Sequence, residues 1–400
     1  MKFLEDLLNK QKPMFEKGGK LEKLHYLFEA GETFLFTPPT VAGKKGAQIR
    51  DAIDLKRLMI TVVVALVPCL LFGIYNVGYQ HYLALGQADA SAVDMMTVGL
   101  IQVIPIILVS YTAGGLVEVA FGLIRKHPIN EGFLVTGLLI PLIVPATIPL
   151  WQVALAAIFA VVIGKEVFGG TGMNILNVAM TARAFLYFAY PTEISGEIWT
   201  YLGDASTVEG FSGATFLGLA ATASSEGIPV AQAVTEATSS WAAGMYDLPN
   251  LFMGFIPGSI GETSVLMCLI GAAVLVLTRV ASGRVIFSVF VGAYLMGLLF
   301  NLISANEFMK IPAHYHLVIG GLAFGAVFMA TDPVTCTQTA TGKWIYGIMI
   351  GMLTVIIRVF NPAYPEGIML AVLLMNVFAP LIDFYVIQAN KKRRLQRATV

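Results

Sequence analysis

The stretch RLMITVVVALVPCLLFGIY (57–75) decides the fold class of this chain, because it carries one charged residue, Arg57, among 19. A helix crosses the hydrocarbon core of a bilayer with about 20 apolar residues. Similar runs recur, and we interpret ten segments as spans: 57–75, 97–122, 132–148, 150–168, 173–190, 263–281, 284–304, 314–331, 343–360 and 366–388. The sequence therefore predicts an all-α integral membrane protein with about ten transmembrane helices.

The composition agrees with this prediction and excludes several classes of protein. Apolar residues make up 57% of the 400 residues and charged residues only 12%, about half the charged fraction of a soluble domain. The 25 basic and 25 acidic residues cancel, so we expect no nucleic-acid partner. Cys69, Cys268 and Cys336 are far apart and form no CxxC pair. We therefore expect neither a disulfide framework nor a zinc or iron–sulfur site from this chain alone.

Two of the apolar segments are interrupted by glycine, proline and small polar residues, at FGGTGMNILN (168–177) and at MATDPVT (329–335). Such breaks are tolerated in a membrane only where protein or a cavity covers the freed backbone groups. We expect both to be broken helices that line a site near the middle of the membrane. With five spans in each half, the pattern is compatible with inverted five-helix repeats of the kind found in transporters and channels.

The distribution of charge predicts the orientation and the division of the chain. Basic residues collect on the cytoplasmic side of membrane proteins, whereas the loop 191–262 contains no Lys or Arg. We therefore place this loop outside the cytoplasm and both termini inside it, in a bacterial inner membrane. Residues 1–55 form a cytoplasmic segment, 56–388 the ten-span membrane domain with the exported loop, and 389–400 a basic cytoplasmic tail.

Carboxylates inside apolar spans are the first candidates for function, because an unpaired charge there costs several kcal/mol. We single out four in or beside the spans, at Glu118, Glu131, Asp332 and Asp383, with Arg183 and Arg358 as the obvious buried cationic partners. Carboxylate oxygens suit a hard cation, so some of these residues are expected to line a path for Na⁺ or H⁺. The alternative is that Glu131 and Asp383 are solvated at the interface and Glu118 is ion-paired structurally. Asp332, in a break, is the strongest candidate.

Gly114 and Gly115, next to Glu118, allow close approach of either a flat ligand or another helix backbone. Packing of helices through small residues is the commoner explanation for such a pair. The sequence contains no Walker loop, no dinucleotide-binding GxGxxG after a strand and no nucleophile triad, so we expect NADH to bind a partner protein.

The exported loop contains an unusual string of small residues in VEGFSGATFLGLA (208–220). Ser212, Gly213 and Ala214 precede Thr215 and are expected to leave its hydroxyl accessible. The string matches the sequence read by the enzyme that esterifies the phosphate of FMN onto a threonine. A four-residue match is a weak motif by itself, and an ordinary Ser/Gly turn is the alternative.

Taken together, these features resemble a known family, the membrane B subunits of the bacterial Na⁺-translocating NADH:quinone oxidoreductases, which are similar to the D subunits of the Rnf complexes. The resemblance covers essentially the whole chain, and its segments include FEKGGKLEKLHYLFEA, TPPTVAGKKGAQIRDAIDLKRLMI, RKHPINEGFLVTG, GKEVFGGTGMNILN, FSGATFLG, PGSIGETS, FMATDPVT, VFNPAYPEGIMLA and the KKRR tail. The N-terminal segment favours the quinone reductase over its Rnf relative.

The resemblance implies FMN linked by a phosphoester to Thr215 within the string Ser212, Gly213, Ala214, and a riboflavin near Asn174 and Asn177. It implies a quinone region at Gly114 and Gly115 together with the N-terminal segment. The residues that it associates with Na⁺ are Glu29, Glu118, Asp332 and Asp383. In one respect the chain departs from the family, whose members commonly have Asn-Pro where this chain has Asn177-Val178, which puts the backbone at the riboflavin break in question.

The function that the resemblance implies is that of one component of a Na⁺-transporting NADH:ubiquinone reductase, a translocase. Electrons would pass from partner subunits through FMN and riboflavin to ubiquinone while Na⁺ is exported. Two alternatives stay open. One is a cofactor-free channel or secondary transporter, for which broken helices and buried carboxylates would suffice. The other is the related Rnf-type ferredoxin:NAD electron-transport component.

Overall fold

The computed structural model describes residues 10–16, 19, 21, 25, 28, 55–87, 89–126, 132–203, 211–239 and 242–398. Within these ranges the regular secondary structure is helical and no strand occurs. The all-α class predicted from the apolar runs is therefore confirmed. Glu29 and Glu131 lie outside the described residues.

The longer helices of the described chain define the architecture. In chain order they are α1 (Leu55–Ala84), α2 (Ala92–Arg125), α3 (Gly132–Leu142), α4 (Leu150–Gly164), α5 (Val178–Ala189), α6 (Phe216–Glu226), α7 (Val230–Thr238), α8 (Leu248–Met253), α9 (Val265–Leu277), α10 (Gly283–Ile303), α11 (Ala340–Phe360) and α12 (Ile368–Ala398). Helix α1 packs against α2 and α9, α4 against α2 and α5, and α10 along α11.

Six helices among the described residues are long and apolar enough to cross a membrane, namely α1, α2, α4 with its continuation to Phe168, α10, α11 and α12. Three shorter apolar helices, α3, α5 and α9, correspond to further predicted spans. Large apolar side chains such as Ile124, Leu277 and Leu302 are exposed on outward faces, as expected for helices in contact with lipid. The expectation of a multi-pass protein with about ten helices is confirmed.

The predicted span 314–331 differs from the others, because it is not one continuous helix. It consists of the short turns Tyr315–Leu317 and Leu322–Phe324 and a π-helical turn, Gly325–Met329. Gly320 has a φ of +63°, which a side-chain-bearing residue rarely adopts. Residues 321–330 are all buried, so protein covers the backbone groups that a regular helix would have satisfied itself.

The loops next to the short helices contact each other in pairs. In each pair, one loop comes from each half of the chain. After α3, the carbonyls of Leu142 and Val144 accept hydrogen bonds from the N–H groups of Gly261 (2.7 Å) and Ile260 (3.1 Å), which precede α9. The break before α5 lies against the break 329–335 through Asn177 and Asp332. This interlocking is compatible with inverted repeats, which stay a prediction.

The loop predicted to be exported folds into a small subdomain, formed by α6, α7 and α8. Its apolar residues Phe216, Leu217, Tyr246 and Leu251 are buried in a cluster shared with α10 and α11. Because the subdomain is packed onto the helical bundle, it holds the segment around Thr215 in a defined place.

Candidate functional site

The two broken helices come together at Asn177 and Asp332, which are 155 residues apart in the chain. Asn177 Nδ2 donates to Asp332 Oδ2 at 3.3 Å. Asn177 also caps α5, because its Oδ1 accepts from the N–H of Met180 at 3.1 Å. Asp332 Oδ1 accepts from the N–H of Val334 at 3.0 Å within its own turn. One amide therefore fixes the start of α5 and joins it to the carboxylate of the opposite break.

A cleft opens between these breaks. Its polar lining includes Asn174, Asn177, Asp332 and Lys165, and its apolar walls come from α1, α3, α9 and the π-helical turn, among them Leu58, Leu139, Leu275 and Phe328. Mostly apolar walls with a few convergent polar groups are typical of sites for small organic molecules. The structure thus brings together Asn174, Asn177 and Asp332, three of the residues predicted from the sequence.

Glu118 is buried and forms an ion pair with Lys165, whose Nζ donates to Glu118 Oε1. Lys165 also lies 3.9 Å from Glu166, and Arg125 Nη1 donates to the Glu166 carbonyl at 2.6 Å. The expectation that Arg183 or Arg358 would be the partner of Glu118 is wrong. Lys165 was missed as a partner, although a lysine at the end of a predicted span and beside a Gly-rich break was a usable signal.

Arg183 instead joins two carboxylates that were not among the predicted candidates. Its Nη1 lies 2.7 Å from both oxygens of Glu262, and its Nη2 lies 4.0 Å from Glu366 Oε2. Arg358 donates to the carbonyls of His316 (2.8 Å), Ile319 (2.8 Å) and Glu366 (3.0 Å). Both arginines are buried, so each holds several loops of the bundle together.

Asp383 belongs to α12, and its carboxylate contacts the residues at the start of α11 rather than the cleft. Its Oδ2 accepts from the N–H of Gln338 at 2.7 Å, and its Oδ1 accepts from the N–H (3.0 Å) and the hydroxyl (2.6 Å) of Thr339. These bonds tie α12 to the helix start of α11, where a negative charge is favourable. The structure therefore places Asp383 next to the second break but separates it from the amides of the first.

Thr215 caps the first turn of α6, with its hydroxyl accepting from the N–H of Gly218 at 3.2 Å. Ser212 donates to Glu197 at 3.1 Å, and a Cβ on Gly213 would lie 2.4 Å from the Glu197 carbonyl oxygen. Close packing against the backbone of Glu197 therefore explains the glycine at position 213.

A hydrogen bond from Tyr246 also fixes the backbone before Thr215. The hydroxyl of Tyr246 donates to the carbonyl of Ala214 at 2.6 Å, and burial raises the pKa of Tyr246 above its ordinary value, so it stays a donor. Thr215 itself is half-buried and lines a cleft with Trp199, Tyr364 and Arg183. The threonine therefore borders an open space with aromatic and charged side chains around it.

Gly114 and Gly115 meet an aromatic ring of the protein. A Cβ on Gly114 would lie 2.3 Å from Phe133 Cζ, whereas one on Gly115 would have its nearest contact with the same ring at 3.7 Å. Tyr111 donates to the carbonyl of Leu134 at 2.6 Å and fixes α3 beside this position. Close packing of α2 and α3 explains Gly114, and nothing in this geometry tests the quinone assignment.

Comparisons with known proteins match the chain to a family over most of its length. The sequence model of the NQR2, RnfD, RnfE family matches residues 43–392. The chain belongs to this family. The resemblance predicted from the sequence motifs is therefore confirmed at the level of the family, which contains the Rnf proteins as well.

The family members that resemble the chain include proteins known as the B subunit of the Na(+)-translocating NADH-quinone reductase. The one from Chromohalobacter salexigens is 48% identical over 98% of this chain and 96% of its own length. Those from Klebsiella pneumoniae (47%; 98% and 99% covered) and Azotobacter vinelandii (48%; 98% of both chains) are similarly close. The likeness thus covers the clefts at Asp332 and Thr215 together.

Proposed function

We propose that this chain is the B subunit of a Na⁺-translocating NADH–quinone reductase, a translocase that passes electrons from NADH to ubiquinone and exports Na⁺. The observation that carries the proposal is the likeness to such proteins over 98% of the chain at 48% identity. The chain works with partner subunits, which bind NADH, and it lies in the inner membrane of a bacterium. An Rnf-type role is disfavoured because the named full-length relatives belong to quinone reductases.

The first part of the proposal is that Thr215 carries FMN through a phosphoester. The residues fit this group, because Thr215 stands at the N-terminus of α6, where unpaired N–H groups and the helix dipole favour a phosphate. Gly213 and Ala214 add little bulk beside the Thr215 hydroxyl, and Trp199 and Tyr364 border the adjoining cleft. FMN bound there would supply the capacity to accept and release electrons one at a time. The chain's own part is to hold the linkage rigidly through Tyr246 and the first turn of α6.

The second part is that riboflavin binds in the cleft between the two breaks. A flavin needs flat apolar walls and a few hydrogen-bonding groups, and the cleft offers Leu139 and Phe328 beside the amides of Asn174 and Asn177. Riboflavin bound there would supply the next electron-accepting group. Asn177 orients the site because it is fixed both to α5 and to Asp332.

The third part concerns Na⁺, the transported ion, for which Glu29, Glu118, Asp332 and Asp383 are the candidates. Asp332 is the best placed of those described, since it lines the same cleft as the proposed riboflavin residues. Coupling follows if the charge on the flavin changes the affinity of Asp332 for Na⁺, because each ligand must then bind two states differently. Glu118 is neutralised by Lys165, and it is Lys165 that lines the cleft.

The deciding experiment is flavin fluorescence of the denatured protein in a gel, after expression together with its flavin transferase. We expect a fluorescent band from the wild type and none from Thr215→Ala, because the phosphoester needs the Thr215 hydroxyl. Thr222→Ala is the matched control, since Thr222 lies on the same helix, lines the same cleft and is exposed, and it should keep the band. A wild-type protein without fluorescence would overturn the flavin proposal and favour a cofactor-free channel or transporter.

A further inference from the structure

Two ionisable side chains among the described residues line the cleft between the helix breaks, and they carry opposite charges. Asp332 belongs to the second break, and Lys165 follows α4, just before the first break. The other described residues of the lining are uncharged. Lys165 is therefore the one cation that the described part of the chain places at the wall of this cleft, and its side chain is only 7% exposed.

The partners of Lys165 fix the direction of its charge. The ammonium donates to Glu118 Oε1, and Glu118 belongs to α2 and does not line the cleft. The neighbouring Glu166 is balanced by Arg125, whose Nη1 lies 3.6 Å from Glu166 Oε2. Helix α4 ends at Gly164, and the dipole at a helix C-terminus favours a cation. The pair of Lys165 and Glu118 thus turns its positive end toward the cleft.

Stability by itself does not account for a lysine at this place. A buried ion pair is costly to desolvate, and an apolar pair of the same size often gives equal or greater stability. Leu139, Leu275 and Phe328 belong to the same lining, so apolar side chains fit this wall. Because charges interact strongly where little water is present, a cation here favours a ligand that acquires negative charge.

We propose that the Lys165 ammonium stabilises the reduced form of the flavin in this cleft and so raises its midpoint potential, with Glu118 as the positioning residue that holds the ammonium. The inference rests on the proposed function, which identifies the ligand as riboflavin. When the oxidised ring takes up two electrons from the partner subunits and one proton from water, it gains one negative charge. A cation near the ring nitrogens favours that charge, whereas Asp332 has the opposite sign.

The test is a redox titration of the purified complex, followed by flavin absorbance, in a Thr215→Ala background that leaves riboflavin as the flavin of this chain. Lys165→Met/Glu118→Gln replaces the ion pair by uncharged side chains of similar size. We expect it to weaken the binding of the reduced flavin relative to the oxidised flavin roughly tenfold, a fall of about 30 mV for a two-electron couple. Glu118→Gln alone removes the negative charge that opposes Lys165 and should raise the potential. A purely structural role would not shift the potential in opposite directions.

Two further variants are controls. Lys165→Arg keeps the positive charge and should stay close to the parent potential. Lys310 forms the same kind of pair with Glu307, and neither residue lines this cleft. Lys310→Met/Glu307→Gln should therefore leave the potential unchanged.

The riboflavin content of each complex, measured after denaturation, separates this inference from the proposed function. A parent complex that releases no riboflavin contradicts the riboflavin proposal on which the inference rests. With riboflavin present, an unchanged potential in the double variant, or a shift of the same sign in both variants, would overturn the role of Lys165. A double variant that has lost its oxidised riboflavin would overturn it too, since the pair would then shape the cleft. If the double variant does not assemble, Glu118→Gln decides.

Discussion

At the scale of single residues, buried charged side chains such as Glu118 and Arg183 form ion pairs with side chains from other parts of the sequence. These pairs are not the ones that the sequence suggested. Glu118 pairs with Lys165 and Arg183 with Glu262. Removing one member of a buried pair leaves an uncompensated charge, which costs about 3–5 kcal/mol. These pairs thus explain why charged residues persist in apolar spans without each of them being an ion ligand.

A glycine pair provides the prediction at this scale. Gly114→Ala should lower the midpoint of thermal unfolding, at a cost of about 1–3 kcal/mol, because the new Cβ would overlap the ring of Phe133. Gly115→Ala is the control and should have little effect, since its Cβ meets the same ring at 3.7 Å. Equal midpoints for the two variants, with impaired quinone reduction in Gly114→Ala alone, would instead support the quinone assignment of Gly114.

At the scale of elements, helix N-termini fix the positions of two candidate functional residues, because side chains there accept hydrogen bonds from N–H groups without a partner inside the helix. Asn177 caps α5 and Thr215 caps α6. Val178 occupies the first position of α5, where the resemblance implies proline. Proline is tolerated at this position since its missing N–H would have no partner inside the helix. Valine at position 178 is therefore compatible with the same helix break, and Asn177 is still the N-cap of α5.

The second prediction belongs to the start of α11. Asp383→Ala should destabilise the complex by about 1–3 kcal/mol and so lower the midpoint of thermal unfolding, because the hydrogen bonds from Gln338 and Thr339 to its charged carboxylate disappear. Asp383→Asn keeps one acceptor oxygen and should lose less. Asp332→Ala should instead raise the half-saturating Na⁺ concentration with a smaller change in stability. An unchanged midpoint in Asp383→Ala with a weaker response to Na⁺ would make Asp383 an ion ligand.

At the scale of the whole molecule, the charge pattern predicts that the subdomain with α6 lies outside the cytoplasm and the end of α12 inside it. Glu226 and Lys392 are exposed, whereas the three native cysteines are buried. A membrane-impermeant maleimide should therefore label Glu226→Cys in right-side-out spheroplasts. It should label Lys392→Cys only after permeabilisation. The reverse result would invert the orientation and move Thr215 to the cytoplasmic side.

Most of the fold was predictable at this scale, because about 20 apolar residues in a bilayer must form a helix that satisfies its own backbone. The segment 314–331 was predictable as apolar but not as a series of short turns. Its glycines allow such turns, and the choice depends on neighbours that cover the backbone. Lys165, Glu262 and Glu366 were missed as partners of buried charges for the same reason, since each partner lies in a distant part of the chain.

The sequence by itself determined the all-α membrane class, the family, the position of both helix breaks and the small-residue setting of Thr215. These properties depend on local composition and on short sequence strings whose chemistry can be inferred without knowing the tertiary structure. Only the tertiary structure decided that Asn177 lies against Asp332, that Asp383 holds a helix start, and that Glu118 pairs with Lys165. Contacts between breaks 155 residues apart depend on how the helices pack, and hydropathy does not encode that packing.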